Sequence, residues 1–400
     1  MHEIKPSVFH YRVAQAASWV VSTFVFRKKV LRNEIRGKKG SFVVIANHQA
    51  ALDFVNLIGA TRRLMRFVIS KSFFSTLPVK GFMTKMGVIP KQQFQTSADD
   101  LKKMKTAIKA GQPVVIYPAG LMCEDGLSTP IPSATYKFLK WLDVDVYVAR
   151  SRGTYFVMPK WAKGLRPGRT YMDIYKLFSK EDLKNMDLEE VREKTNDALL
   201  FDAYREQDVH PEKYSKNRII EGLENVLYLC PHCGEEFSME VRDGSTIACK
   251  NCGFAQKSDN FGFFHRVSDH GLEVRYVSDW SRLIHRDLTR KISDGRETEI
   301  TAKTTFHMID EKKNKFLPVG DGTITLTKEG FHLEGKIRGE DVNICVPIGN
   351  VPTLPFSPGK HLEVQDGPAI YRCVLQDGKQ VMKFINMVKI FYELKQKAPV

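Results

Sequence analysis

Residues 41–53 read Ser-Phe-Val-Val-Ile-Ala-Asn-His-Gln-Ala-Ala-Leu-Asp, and this stretch decides the fold of the N-terminal half of the 400-residue chain. The apolar run at 41–46 is typical of a buried strand, and residues 52–60 favour a helix. His48 therefore lies in a strand-to-helix turn, and Asp53 lies in the opening turn of the helix. Side chains five residues apart diverge on a continuous helix, whereas a turn brings them together. The stretch predicts an imidazole–carboxylate pair.

The alternation of strand and helix continues beyond this turn. Apolar runs and helical stretches follow one another in the order 64–69, 97–110, 113–117, 133–141 and 144–149. Strands that alternate with helices build α/β folds in which the sheet is mixed or mainly parallel. We therefore expect an α/β domain over residues 36–205, with helices flanking a mixed sheet.

The predicted pair has the chemistry of a general base. A neutral imidazole nitrogen accepts a proton from an attacking hydroxyl, while the carboxylate fixes the tautomer and stabilises the imidazolium. The spacing alone is weakly specific, because most histidines near an aspartate are hydrogen-bonded surface groups. A rival interpretation pairs His48 with Cys123 as a nucleophile, although such a cysteine more often serves packing.

Four sequence blocks occur here in one order, and together they resemble the glycerolipid acyltransferase family. The blocks are Asn47-His48-x4-Asp53, Gly87–Gln93, Tyr117–Gly120 and Val144–Arg150. The resemblance, to 1-acylglycerol-3-phosphate acyltransferases in particular, covers roughly residues 35–180. It implies transfer of a fatty acyl group from an acyl thioester, acyl-CoA or acyl carrier protein, to a lysophospholipid such as 1-acylglycerol-3-phosphate or to a related lipid acceptor.

The resemblance also assigns roles, with His48 as the general base and Asp53 as its orienting partner. The candidate substrate-binding residues are Asn47, Lys91, Gly120, Arg150 and Arg152. Two positions depart from the family pattern: Ala119 replaces a glutamate, and Gln93 replaces an arginine. Because arginine binds phosphate bidentately, these departures leave the acceptor open. The alternative is a non-catalytic lipid- or protein-binding relative.

The sequence of the N-terminal segment, residues 1–35, predicts an amphipathic helix that associates with a membrane. Fourteen residues separate Arg12 from Arg27, fewer than the roughly 20 that cross a bilayer. The net charge of +15 favours a polyanionic partner, either an anionic lipid surface or nucleic acid. We expect a peripheral or monotopic protein at the cytoplasmic face of a membrane, and the alternative is a helix packed on its own domain.

Four of the seven cysteines form the pattern C-x2-C-x15-C-x2-C, typical of a zinc ribbon over residues 227–262. The predicted ligands are Cys230, Cys233, Cys249 and Cys252. Four thiolates close a tetrahedral site, so the zinc is predicted to be structural. The ribbon is also acidic, which argues against a nucleic-acid partner; its acids are Glu235, Glu236, Glu240 and Asp243.

The remaining segments complete the predicted organisation. Residues 206–226 are predicted as a linker and 263–300 as a helical connector. Over 301–400, short alternating runs with turn signals precede an apolar helical stretch at 382–394, which indicates a β-rich domain with a C-terminal helix. This arrangement resembles a pleckstrin-homology-like barrel.

Overall fold

The computed structural model describes residues 6–76, 78–91, 98–214, 219–348 and 353–397. Gln93 and Ser97, the latter the first residue of a predicted helix, lie outside these ranges. The chain divides into two compact units. One comprises residues 1–160 and 164–215, and the other comprises residues 161–163 and 216–400.

The first unit contains a seven-stranded sheet. Its strands are β1 (Lys29–Asn33), β2 (Val43–Ala46), β3 (Arg66–Ser70), β4 (Ile89–Lys91), β5 (Val114–Ile116), β6 (Val146–Arg152) and β7 (Tyr171–Phe178). In space their order is β1-β7-β6-β2-β5-β3-β4. All neighbouring pairs are parallel except β6 and β7, which are antiparallel. The predicted mixed, mainly parallel sheet is confirmed.

Helices cover both faces of this sheet. They are α1 (Val8–Phe24), α2 (Asp53–Ala60), α3 (Lys71–Thr76), α4 (Lys80–Lys85), α5 (Ala98–Lys109), α6 (Ala134–Leu142), α7 (Thr154–Val157), α8 (Lys180–Asn185), α9 (Leu188–Leu199) and α10 (Ala203–Val209). Strand β2 lies between two cores, because Val44 packs with α2 on one side and Val43 packs with α5 and α6 on the other. A strand buried on both faces reads as a continuous apolar run, which is why 41–46 predicted it.

The N-terminal segment differs from the single helix that the sequence predicted over residues 1–35. Helix α1 ends at Phe24, and Arg27 adopts a left-handed backbone with φ of 40°. The chain then continues as edge strand β1, in which Lys29 pairs with Tyr171 of β7. Pairing with a strand more than 140 residues away overrides the helical spacing of the apolar residues at 30 and 31.

Helix α1 buries Tyr11 in the core and packs on α2 at Ser18 and Ser22, and it leaves most of its large apolar side chains outside. Ser22 is fully buried and Ser18 nearly so, whereas Phe9 is 72% exposed and Phe24 67% exposed. The two helices approach closely at Gly59, where an added Cβ atom would lie 2.8 Å from Ser22 Oγ and 3.0 Å from the Ser18 carbonyl oxygen. None of the described helices is long and apolar enough to span a bilayer.

The second unit begins with a small four-stranded antiparallel sheet that carries the cysteine pairs. Its strands are β8 (Met239–Arg242), β9 (Thr246–Cys249), β10 (Ala255–Ser258) and β11 (Phe264–Arg266), in the order β11-β10-β9-β8. Helix α11 (Val277–Ser293) follows and is held by Trp280, whose indole Nε1 donates to the carbonyl of Leu229 at 2.9 Å. The predicted helical connector, residues 263–300, thus begins with strand β11 of this sheet and continues as one long helix, α11.

A seven-stranded antiparallel sheet and a C-terminal helix complete the unit. The elements are β12 (Glu299–Asp310), β13 (Lys315–Thr327), β14 (Gly330–Ile337), β15 (Glu340–Pro347), β16 (Phe356–Ser357), β17 (His361–Asp366), β18 (Ala369–Leu375) and α12 (Val381–Lys397). The strand order is β15-β14-β13-β12-β18-β17-β16. Two meanders joined through β12 and β18, followed by a helix, confirm the predicted pleckstrin-homology-like architecture.

An ion-pair network joins the cysteine-bearing sheet to both long helices of this unit. Lys383 of α12 contacts Glu236 at 2.7 Å and Glu297 at 2.8 Å. Lys291 of α11 contacts the other oxygen of Glu236 at 2.9 Å. Lysine contacts lower the pKa of the Glu236 carboxyl although its burial acts in the opposite direction. The negative charge of Glu236 thus balances the positive charges of Lys291 and Lys383.

We predict that Gly59→Leu lowers the free energy of unfolding of the first unit by about 1–3 kcal/mol, because the new side chain collides with the backbone of α1. Gly81→Leu is the matched control, since Gly81 also lies in a helix and has open space around it. Urea denaturation of both variants measures the difference. Equal stabilities would contradict the close approach of α1 and α2.

Candidate functional site

The turn after β2 places the ring of His48 beside the carboxylate of Asp53. Asp53 is buried at the first position of α2, and its Oδ2 atom accepts three hydrogen bonds. The donors are Nδ1 of His48 at 3.0 Å, the amide of Gln49 at 2.7 Å and the amide of Ala50 at 2.9 Å. Because a carboxylate oxygen only accepts, Nδ1 carries the hydrogen, and Nε2 is the acceptor of the neutral ring.

The His48 ring also packs against an aromatic neighbour. Its centroid lies 4.6 Å from that of Tyr117, and 20% of the histidine side chain is exposed. Burial, with a smaller contribution from Asp53, raises the pKa of the Tyr117 hydroxyl well above its ordinary value. Tyr117 therefore stays neutral beside the imidazole ring.

Two amide side chains anchor the turn to the end of β6 and to the start of α7. Asn47 Nδ2 donates to the carbonyl of Ser151 at 2.8 Å, and Asn47 Oδ1 accepts from the amide of Ser151 at 2.8 Å. Gln49 Oε1 accepts from the Thr154 hydroxyl at 3.1 Å and from the Tyr155 amide at 3.2 Å. The Asn47 amide, a predicted substrate contact, is thus engaged with the backbone beside His48.

A small cleft opens beside His48. Its other lining residues are Ala46, Asn47, Pro118, Ala119, Ser128, Thr129, Ile131, Leu199, Leu200 and Phe201. Part of the wall is held by Ser128, whose amide donates to the carbonyl of Phe201 at 3.0 Å and whose hydroxyl accepts from the Phe201 amide at 3.2 Å. The ring of His48 thus forms part of the cleft wall.

Arg150, a predicted substrate-binding residue, is engaged with the end of α9. Its Nη1 donates to the carbonyl of Ala198 at 2.7 Å, and its Nη2 contacts the carbonyl of Leu200 at 3.2 Å. Nη2 also pairs with Glu206 Oε1 at 2.6 Å. A cation at the last carbonyls of a helix stabilises that helix end. Arg150 therefore holds the part of the cleft wall that contains Leu199 and Leu200.

The other predicted substrate residues lie at the same edge of the sheet but make different contacts. Arg152, the last residue of β6, lies over the Tyr171 ring at 4.3 Å from its centroid. Lys91 ends β4, and burial lowers the pKa of its amine while Asp100 acts in the opposite direction. Gly120 has φ of 70°, and its amide closes a turn on the carbonyl of Tyr117 at 3.0 Å.

Cys123, the rival nucleophile, is fully buried behind the turn. Its sulfur donates to the carbonyl of Gln49 at 3.7 Å, and its amide donates to the carbonyl of His48 at 3.3 Å. Burial raises the pKa of the thiol well above its ordinary value, and the carboxylates of Asp125 and Glu124 add to the rise. Since the thiolate is the nucleophilic form, this geometry does not support a Cys–His nucleophilic pair.

Sequence reasoning did not identify several groups that form the site. Gln49, Ser128 and Phe201 position the turn and the cleft wall, and they lie far apart along the chain. Gln49 stood within the His-x4-Asp block, so its position beside the histidine was a signal. The sequence around Phe201 contained no such signal, because Phe201 contacts Ser128 only after the segment that follows α9 has folded back.

The four predicted metal ligands meet at one point in the second unit. The sulfur atoms of Cys230, Cys233, Cys249 and Cys252 all lie within 4.8 Å of one another. The distance is 3.8 Å from Cys230 to Cys252 and 3.8 Å from Cys233 to Cys249. Four sulfurs at 2.3 Å from a tetrahedral zinc would be about 3.8 Å apart, so the cluster fits this ion.

We predict that the purified protein holds one zinc ion per chain, and that Cys233→Ser lowers the zinc content and the thermal midpoint of the second unit. A drop of more than about 10 °C is expected, because metal binding supplies folding free energy to such small sheets. Elemental analysis and calorimetry measure the two effects.

Cys345→Ser is the matched control, since Cys345 is an exposed cysteine of the same unit outside the cluster. It should keep its zinc and its midpoint. Zinc-free wild-type protein with an unchanged midpoint would count against the site.

Residues 26–158 match the family model described as Acyltransferase. The match covers about a third of the chain and contains the turn with His48 and Asp53, together with all four sequence blocks. No curated protein sequence shows a significant match to the chain.

Two solved structures resemble parts of the chain. One is the 1-acyl-sn-glycerophosphate (LPA) acyltransferase PlsC from Thermotoga maritima, with 16% identity and a TM-score of 0.42, covering 52% of this chain and 81% of that one. The other is the Ran-binding domain of the nuclear complex component Nup2 from Ashbya gossypii, with 11% identity and a TM-score of 0.19, covering 24% of this chain and 99% of that one. Both TM-scores are below 0.5, so neither likeness supports a statement about the fold or the function of this chain. The family match, by contrast, agrees with the resemblance to acyltransferases that the sequence blocks indicated, over residues 26–158.

Proposed function

We propose that this chain transfers a fatty acyl group from an acyl thioester to the hydroxyl of a lipid acceptor, a lysophospholipid or a related lipid. The observation that carries the proposal is the hydrogen bond from His48 Nδ1 to Asp53 Oδ2 at 3.0 Å, at the mouth of a cleft. This bond leaves Nε2 of the neutral ring as a proton acceptor. Acyl-CoA and acyl carrier protein are the two donor classes that the family implies.

The proposed reaction proceeds by direct transfer. His48 Nε2 takes the proton of the acceptor hydroxyl as its oxygen attacks the thioester carbonyl carbon, and a new C–O bond forms. The tetrahedral intermediate collapses when the C–S bond breaks, and the imidazolium returns the proton to the leaving sulfur. The products are an ester and a free thiol. The buried Asp53 carboxylate stabilises the imidazolium between these steps.

The proposal assigns the zinc a structural role. The four cysteine sulfurs would fill all positions of a tetrahedral zinc ion and would leave none for a substrate or a water molecule. The cluster also belongs to the second unit, whereas His48 and Asp53 belong to the first. Acyl transfer is therefore assigned to the first unit alone.

Helix α1 supports a membrane-associated role within this proposal. Its outward side chains include Phe9, Trp19 and Phe24, all more than half exposed. Apolar side chains of this size on an interfacial helix bury themselves at the boundary between lipid headgroups and acyl chains, and nearby basic residues bind anionic headgroups. We propose that this face holds the protein on the cytoplasmic surface of a membrane, where its acceptor lies.

We predict that His48→Ala lowers kcat/KM for acyl transfer by about 10²–10⁴-fold, since it removes the general base. Asp53→Asn should cause a loss of about the same order, because an amide no longer fixes the required tautomer. The assay offers several lysolipids with acyl-CoA and with acyl carrier protein, and it measures ester and thiol formation together.

Cys123→Ala is the control for the cysteine alternative, and it should keep most of the activity. Equal transfer by wild type and His48→Ala would disprove the catalytic role of the histidine. A folded wild-type protein that transfers no acyl group from either donor would favour the non-catalytic relative.

A separate prediction concerns the exposed face of α1. Trp19→Glu should lower the partition coefficient onto phosphatidylglycerol-containing vesicles by about tenfold or more, because an apolar ring is replaced by a charge. Trp141→Glu is the matched control, since Trp141 is an exposed tryptophan of the same unit on α6. Vesicle sedimentation measures both. Equal losses for the two variants would show that α1 is not the binding surface.

A further inference from the structure

The cleft beside His48 offers no countercharge to a phosphate group. Apart from the histidine, every described residue that lines it is uncharged. Ala119 lies where the family carries a glutamate, and the opposite wall presents Leu199, Leu200 and Phe201. A phosphate monoester that entered this space would lose water without gaining a cation, which is costly for a charged group.

Arg150 is the nearest arginine to this wall along the contacts described above, and its guanidinium is already used. One nitrogen contacts the carbonyl of Ala198, and the other contacts the carbonyl of Leu200 and the carboxylate of Glu206. Release of Arg150 toward a ligand would leave Glu206 without this partner and free the end of α9, which forms part of the cleft. Arg150 therefore positions the wall and does not bind the acceptor.

Lys91 does not line this cleft. It ends β4, which is separated from β2 by β5 and β3, so its backbone lies about 14 Å, three strand spacings, from the strand that carries His48. The segment that follows, residues 92–97, contains no basic residue in its sequence.

From these observations, and resting on the proposed acyl transfer, we infer that the acceptor has an uncharged head that carries the reacting hydroxyl. A monoacylglycerol is the matching class. Its glycerol hydroxyls can bond to the Ser128 and Thr129 side chains, and its acyl chain can contact the apolar wall that Leu200 and Ile131 provide. The same cleft disfavours an acceptor that carries a phosphate monoester.

The test compares 1-monoacylglycerol with 1-acylglycerol-3-phosphate of the same chain length in direct competition. Both are presented at equal mole fraction in neutral detergent micelles, so that the positive charge of the protein does not concentrate one of them. We expect kcat/KM to favour monoacylglycerol by at least about tenfold. A preference for the phosphate-bearing acceptor overturns the inference but leaves the proposed acyl transfer intact. Transfer to neither overturns both.

Two matched variants locate the discrimination in this cleft. Thr129→Arg adds a fork-shaped cation to the wall, and Thr129→Gln adds a side chain of intermediate length without charge. Relative to Thr129→Gln, the arginine variant should shift the acceptor ratio toward 1-acylglycerol-3-phosphate by about tenfold. Circular dichroism and zinc content confirm that both variants fold. An equal ratio in two folded variants would show that the acceptor head lies elsewhere, which overturns the inference.

Discussion

A single buried oxygen atom, Oδ2 of Asp53, is the contact on which both the turn and the site of the first unit depend. It accepts the backbone amides of Gln49 and Ala50, in the turn before α2, and the ring nitrogen of His48. Buried backbone amides need acceptors, and a negative charge in the first turn of a helix is stabilised by the helix dipole. Because one atom accepts from both the turn and the ring, the position of the histidine ring is set by the same oxygen that closes the turn.

The sequence patterns that act locally were sufficient to predict much of this protein. A doubly buried strand, the spacing of His48 and Asp53, and the two cysteine pairs each depend on residues close together in the chain. The contacts of the Arg150 side chain could not be predicted in this way. Its partners lie about 50 residues further along, at the end of α9, and a basic residue at the end of a strand has the same sequence appearance whether it binds a substrate or a helix.

Helix α1 shows a second limit of sequence patterns. The spacing of its apolar residues indicated an apolar and a polar face, but spacing does not determine which face packs against the rest of the protein. That choice depends on Gly59 of α2, which admits the small side chains Ser18 and Ser22 at close range. Most of its large apolar side chains, such as Phe9, Trp19 and Phe24, are therefore left outward.

The position of Glu236 has a consequence for how this chain can be divided. The residue lies next to the cysteine-bearing sheet, yet its two oxygens are held by Lys291 of α11 and Lys383 of α12. A shortened gene product that lacked the last helix would leave a partly buried carboxylate without one of its two cations beside the metal ligands. The metal-binding segment and the strand-rich segment therefore depend on each other for charge balance, although their sequence motifs are separate.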